Sequence, residues 1–174
     1  MDSTKYIKIM LNSLPIFLLL LTIDQVSKSY IIEYLQTKEG MFVYVTKYLN
    51  IVYTWNYGIS FGMFTNYYQY SNWFFTVLNS IIIVLSIIHY VKTYSVYHRY
   101  YSIGLLITVS GAAGNVADRI FRKGVFDFID LHYQNYYFPA FNFADMCITF
   151  GTIIVIYTII RFPFEENHTI NKNI

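Results

Sequence analysis

The chain has 174 residues, of which 56% are hydrophobic and 21% aromatic but only 13% charged, and its formal net charge is +2. Mean hydropathy is +0.40, high for a soluble domain. The small charge, with no basic run and no basic–aromatic interleaving, argues against nucleic-acid binding. A single cysteine, Cys147, leaves no disulfide framework and no CxxC metal site, and His89, His98, His132 and His168 lack a ligand spacing such as HExxH.

The length suits one domain, residues 1–174. Four spans of about 20 residues would use about 80 residues, so nearly half the chain can be membrane. A short polar head with Lys5 and Lys8 precedes the apolar run Leu14–Ile23, LPIFLLLLTI. That run alone is too short to span and could be a signal-peptide core. No small-x-small cleavage site follows it, and no cysteine lies just downstream for lipid attachment. The pattern continues instead through Asp24-Gln-Val-Ser-Lys28-Ser-Tyr-Ile-Ile, which predicts an uncleaved helix over about 9–32. Asp24 and Lys28 stand four apart and share a helix face, either as an ion pair at a helix end or as a functional pair facing a bundle interior.

From Gly40 to Thr54 the composition shifts to Val, Ile, Tyr, Phe and Thr, which suit a pleated, half-buried surface. Two or three short strands are expected within a β-rich segment over about 40–62, forming a small sheet at the membrane surface. Gly58 and Gly62 let the backbone turn, and Asn56 before them reads as a turn residue or a site residue. The aromatic run from Phe64 to Trp73 suits a short interfacial helix. Further spans are expected over about 73–91, 101–118 and 142–162, the last ended by Arg161 and Pro163. Small residues from Ser110 to Gly114 allow close helix packing in lipid. Asn115, Asp118 and Arg119 occupy the next turn, where an amide and an ion pair finishing a helix would also fit. The stretch from Glu165 to Ile174 reads as a polar tail.

Four spans put both termini on one side. Asp24, Lys28, Asn56, Asn115, Asp118, Arg119, Asp127, Asn142 and Asp145 then all fall at the opposite face. Ionisable groups between apolar segments are costly to bury and are rarely accidental. Lys and Arg divide evenly between the two faces, so the positive-inside bias barely discriminates. Lys5, Lys8, Lys92 and Arg99, beside spans or in a short loop, favour cytoplasmic termini and a periplasmic polar face.

No GxSxG and no convincing Ser–Lys or Cys–His pairing is present, and Cys147 inside the last span reads as a small core residue. Carboxylates without such partners point to acid–base work on water. Two close aspartates cannot both ionise; one activates water while the other, protonated, polarises a carbonyl. Spacing does not settle which two. Asp145 lies three after Asn142, which also fits a helix start. Asp127 is flanked by apolar residues on a non-helical stretch, and Asp130 reads as its solvated neighbour. A small transporter or channel subunit would carry ionisable groups at mid-membrane, and the middles of the later spans hold none. A non-catalytic membrane assembly factor is the remaining alternative.

Five ordered motifs carry a resemblance: Asp24-Gln-Val-Ser-Lys28; Asn56-Tyr-Gly-Ile-Ser-Phe-Gly62; Gly111-Ala-Ala-Gly-Asn-Val-Ala-Asp-Arg119; Val125-Phe-Asp-Phe128; and Phe138-Pro-Ala-Phe-Asn-Phe-Ala-Asp145. With them the chain resembles lipoprotein signal peptidase, the type II signal peptidase of bacteria, over nearly its whole length. It departs at Ser110 and Ile59, where the family commonly has a small Gly or Ala. The resemblance implies an inner-membrane aspartic endopeptidase: mainly α, with four transmembrane helices, a periplasmic β-sheet cradle and a mobile interfacial helix. It implies a diacylglyceryl-prolipoprotein substrate cut just before the lipidated cysteine, contact with membrane lipid, block by globomycin-type inhibitors, and no cofactor or metal. A monomer is expected, although the sequence itself does not fix the oligomeric state. The resemblance implies Asp127 and Asp145 as the catalytic dyad. Asn56, Asn115, Arg119 and Asn142 would line the site, with Asp24, Lys28 and Asp118 bracing it.

Overall fold

The computed structural model describes residues 3–58, 68–94 and 99–162. Gly62, Ile59, His98, Pro163, the expected tail and residues 64–67 of the expected interfacial helix lie outside them, while 68–73 of that helix form the start of the second long helix. The described residues form four long helices and a small sheet; the helices are α1 (Ser3–Gln36), α2 (Tyr68–Thr93), α3 (Arg99–Phe121) and α4 (Phe143–Arg161). The sheet contains β1 (Phe42–Thr46), β2 (Leu49–Asn56), β3 (Val125–Tyr133) and β4 (Tyr136–Tyr137), all antiparallel in the order β1-β2-β3-β4.

Among the described residues three helices are long and apolar enough to cross a membrane, over Ile7–Gln36, Tyr70–Thr93 and Phe143–Arg161. Their most apolar windows are only 17%, 11% and 22% buried within the chain, so most of that apolar surface faces outward, as lipid contact requires. The expected four spans therefore become three by composition. Helix α3 has 23 residues, about 35 Å of helix. Its last turns carry Asn115, Asp118 and Arg119, and its glycines add little hydropathy, so it falls short of the other three.

Helix α3 is the hub, packing most extensively on α4 and also on α2 and α1. Glycines set the α3–α4 approach. A Cβ on Gly104 would sit 2.7 Å from the Gly151 carbonyl oxygen, and one on Gly151 would sit 2.6 Å from that of Gly104. A Cβ on Gly114 would collide with the Asp24 carboxylate. Ser110 is buried and returns its hydroxyl to the Leu106 carbonyl at 2.8 Å.

The sheet sits on the end of α1. Leu35, Phe126 and Phe128 are buried together, with Ile31, Ile32, Val43, Ile51, Tyr53, Trp55 and Ile129 packed against them. Alternation along β3 puts Phe126 and Phe128 on this core face and Asp127 on the other. Past the β3–β4 hairpin the chain returns to β3. The amides of Phe128 and Ile129 both donate to the Phe141 carbonyl, at 3.1 and 2.9 Å. That pairing delivers Asn142, the start of α4, to the side of Asp127.

Candidate active site

Asn142 is the hinge of the polar cluster. It is the N-cap of α4, with a capping box: its Oδ1 accepts from the Asp145 amide at 3.0 Å, and its own amide donates to Asp145 Oδ2 at 3.1 Å. Its Nδ2 donates to Asp127 Oδ1 at 2.6 Å and to Asn115 Oδ1 at 3.2 Å. One fully buried residue thus holds a carboxylate from β3 through its side-chain amide and another from α4 through its backbone amide.

The rest of the cluster extends from that pair. Asn56, at the end of β2, donates through Nδ2 to Asp127 Oδ2 at 3.0 Å; the register pairing Asn56 with Val125 brings it there. Asn115 donates through Nδ2 to Asp145 Oδ1 at 2.8 Å and accepts from Lys28 Nζ at 3.1 Å. Lys28, fully buried, pairs with Asp24 at 3.0 Å and Asp118 at 2.8 Å. Asp24 reaches across to the Ala144 amide at 2.9 Å, and Asp118 accepts from the Phe126 amide at 3.3 Å. These two acids therefore tie α4 and β3 to the buried charges as well as balancing Lys28.

Arg119 is buried and donates to the Asn115 carbonyl at 3.4 Å, while its Nε has no hydrogen-bond partner among the described residues. Asp145 is half-buried; Asp127 is 3% exposed. Burial, and then the neighbouring charge of Asp145, push the Asp127 carboxyl up to about 6 from an ordinary 3.8, against the opposing bonds from Asn56 and Asn142. All nine residues expected at the polar face belong to this one connected cluster.

Two members were not anticipated. Gln25 donates to Asp24 Oδ2 at 3.0 Å, the Gly114 carbonyl at 3.2 Å and Asp118 Oδ1 at 3.1 Å. Arg122 pairs with Asp118 and donates to Gln25 Oε1 at 2.6 Å and Ser29 at 2.7 Å. Position gave a signal for both: Gln25 lies inside the first motif, and Arg122 stands one turn after Asp118. Asp130 corrects an expectation. It is not solvated but buried, accepting from Asn50 Nδ2 at 2.8 Å with His132 Nδ1 4.0 Å away. The two-residue alternation of β3 puts it on the Phe126 side, away from Asp127. Cys147 is a buried free thiol. Among the described residues no cluster of three or more His, Cys, Asp or Glu is arranged to hold a metal ion.

Comparison with known proteins gives one consistent answer. Residues 16–161 match the family model described as signal peptidase (SPase) II. The lipoprotein signal peptidase of Rickettsia canadensis (strain McKiel) is 49% identical over 145 residues, which is 83% of this chain and 72% of that protein. That of Rickettsia bellii (strain OSU 85-389) is 43% identical over 163 residues, 94% of this chain and 78% of the relative. Two solved structures, each described as a bacterial membrane enzyme studied by the in meso method, share the fold. One has a TM-score of 0.70 at 28% identity, covering 94% of both chains. The other has a TM-score of 0.72 at 30% identity, covering 87% of this chain and 94% of the other.

Proposed function

The chain belongs to the signal peptidase II family, and on that premise we propose that it is an aspartic endopeptidase that removes the signal peptide from diacylglyceryl-modified prolipoproteins, cutting before the lipidated cysteine. Asp127 and Asp145 are the dyad. The observation that carries this reading is Asn142, hydrogen-bonded at once to both carboxylates.

The chemistry follows from that pairing. One aspartate takes a proton from water as its oxygen bonds to the scissile carbonyl carbon; the other gives its proton to the carbonyl oxygen. In the second half the first returns its proton to the leaving nitrogen as the C–N bond breaks. The second then recovers a proton from the tetrahedral hydroxyl, and the dyad is as it began. The products are a signal peptide with a free carboxylate and a lipoprotein with a free α-amine. Asn56, Asn115 and Asn142 keep the carboxylates aimed, and Arg119 lines the site beside them. Asp24, Lys28 and Asp118 brace the ends of α1, α3 and α4.

A precursor anchored in a bilayer presents its cleavage bond near the bilayer surface, at the depth of these helix ends. The termini are cytoplasmic and the dyad faces the periplasm across the inner membrane. The outward apolar faces of α1, α2 and α4 contact lipid, the protein acts as a monomer, and globomycin-type inhibitors occupy the dyad's cleft. The test is incubation of the purified protein with a diacylglyceryl-modified precursor, followed by mass measurement of the products. A lipoprotein beginning at the modified cysteine is expected; an intact precursor, or a cut elsewhere, contradicts the proposal.

A further inference from the structure

The two carboxyl groups are not equivalent, because the cluster fixes the direction of every hydrogen bond that reaches them. Three amides are involved, and each is oriented by a neighbour that can only donate. The Asp145 backbone amide holds Asn142 Oδ1, so Asn142 Nδ2 must face Asp127. The Gly58 amide holds Asn56 Oδ1 at 2.8 Å, so Asn56 Nδ2 must also face Asp127. The Lys28 ammonium holds Asn115 Oδ1, so Asn115 Nδ2 must face Asp145. Ammonium and backbone N–H groups cannot accept, so none of these amides can turn over without losing a hydrogen bond.

Each carboxyl therefore receives two N–H bonds, but from donors of different strength. Asp127 is held by two neutral side-chain amides and is almost wholly buried. Asp145 is held by the Asn142 backbone amide in the first turn of α4, where the helix dipole favours negative charge. Its second donor, Asn115, is polarised from behind by the Lys28 ammonium. Asp145 is also the less buried member of the pair. The charge count agrees. Asp24 and Lys28 on α1, Asp118, Arg119 and Arg122 on α3, Asp127 on β3 and Asp145 on α4 are the charged groups facing one another here. Four acids against three cations become neutral when one acid keeps its proton. Asp24 and Asp118 lie in direct ion pairs, so that acid is one of the dyad.

We propose that Asp145 is the ionised base that activates water, that Asp127 is the acid that carries the proton, and that Lys28 is a positioning residue that fixes this assignment through Asn115. The inference rests on the peptidase reading above. In the working enzyme Asp145 takes the proton from water, and Asp127 gives its proton to the carbonyl oxygen.

The test is the pH dependence of kcat/KM for cleavage of a diacylglyceryl-modified precursor by purified enzyme. A singly protonated dyad gives a bell, its acidic limb set by charging of the base and its alkaline limb by loss of the last proton. Asn115→Ala removes a donor from Asp145 while Lys28 keeps both aspartate partners. Its acidic limb is expected to move to higher pH by about half to one unit, the size of one hydrogen bond, with the alkaline limb in place. Asn56→Ala removes a donor from Asp127 and is expected to move the alkaline limb instead. Lys28→Gln should shift the acidic limb as Asn115→Ala does, and Lys28→Arg should restore it. Asn115→Ser serves should the alanine variant not fold. The opposite pattern, with Asn115→Ala moving the alkaline limb and Asn56→Ala the acidic one, would put the proton on Asp145 and overturn the assignment. Limbs unmoved in every variant would overturn it too, leaving Lys28 and Asn115 as scaffold. Failure of the dyad reading itself is a separate result: undiminished cleavage by Asp127→Asn and Asp145→Asn.

Discussion

The two ends of the helix bundle are built on opposite principles. At the end that holds Asp127 and Asp145, buried Asp24, Lys28, Asn115, Asp118, Asp127 and Asn142 all have hydrogen-bond or ionic partners. Around them, Arg119 Nε, Asn72 Oδ1 and Asn50 Oδ1 have none among the described residues. Toward the other end, α1, α2 and α3 leave an apolar cavity of about 140 Å³ lined by Met10, Leu14, Phe17, Ile87 and Val109 among others. Ser13 and Tyr90 form one polar pair beside it, and the buried Ser102 hydroxyl has no partner among the described residues. A connected polar network fixes its side chains to a fraction of an ångström, which the proposed catalysis by two aimed carboxylates needs. The looser end only has to hold the helices in lipid.

That contrast can be broken in several ways, with effects of falling size. Asn142→Ala removes the shared support of both carboxylates and the cap of α4. Cleavage should fall by about 10²–10³-fold, with about 1–2 kcal/mol lost from stability. A rate within a few-fold of wild type would mean that the carboxylates do not depend on it. Lys28→Met leaves Asp24 and Asp118 charged and buried without their cation, a loss of about 3–5 kcal/mol, read as a large drop in melting temperature in detergent.

Asp127 gives a pH signature next in size. The folded protein keeps that proton up to about 6, whereas the unfolded chain releases it near the ordinary 3.8. Stability from this group is therefore present in acid and is lost as pH rises from about 4 to about 6. The shift of roughly two units corresponds to about 3 kcal/mol. Asp127→Asn should flatten that slope in melting curves and be more stable than wild type above pH 6; an unchanged slope would locate the titration elsewhere. Smallest is Ser102→Ala at the other end. Removing an unpartnered buried hydroxyl should leave cleavage unchanged and alter stability by less than about 1 kcal/mol, in the stabilising direction.

Much of this was legible in the chain. Apolar runs gave the long helices, and counting spans put the polar residues on one face, because a helix crossing lipid can end only near a surface. What sequence could not supply was β3. Val125–Tyr133 reads as apolar residues interrupted by two aspartates, and only strand alternation separates Asp127 from Asp130. Gln25 gives no electrostatic signal, being uncharged beside a charged pair, although it touches both buried acids. Helix α3 sits at the hub with the polar turn at its end, and that trade of hydropathy for chemistry is why span counting by composition finds three helices and not four.

The central claim is that Asp127 and Asp145 act as one unit. It is tested most directly by single-turnover cleavage of a diacylglyceryl precursor by Asp127→Asn, Asp145→Asn and the double variant. Each single change should cost at least about 10³-fold, with the double no worse than either, as for groups that work together. Near-wild-type turnover by either single variant, or costs that multiply, would contradict it.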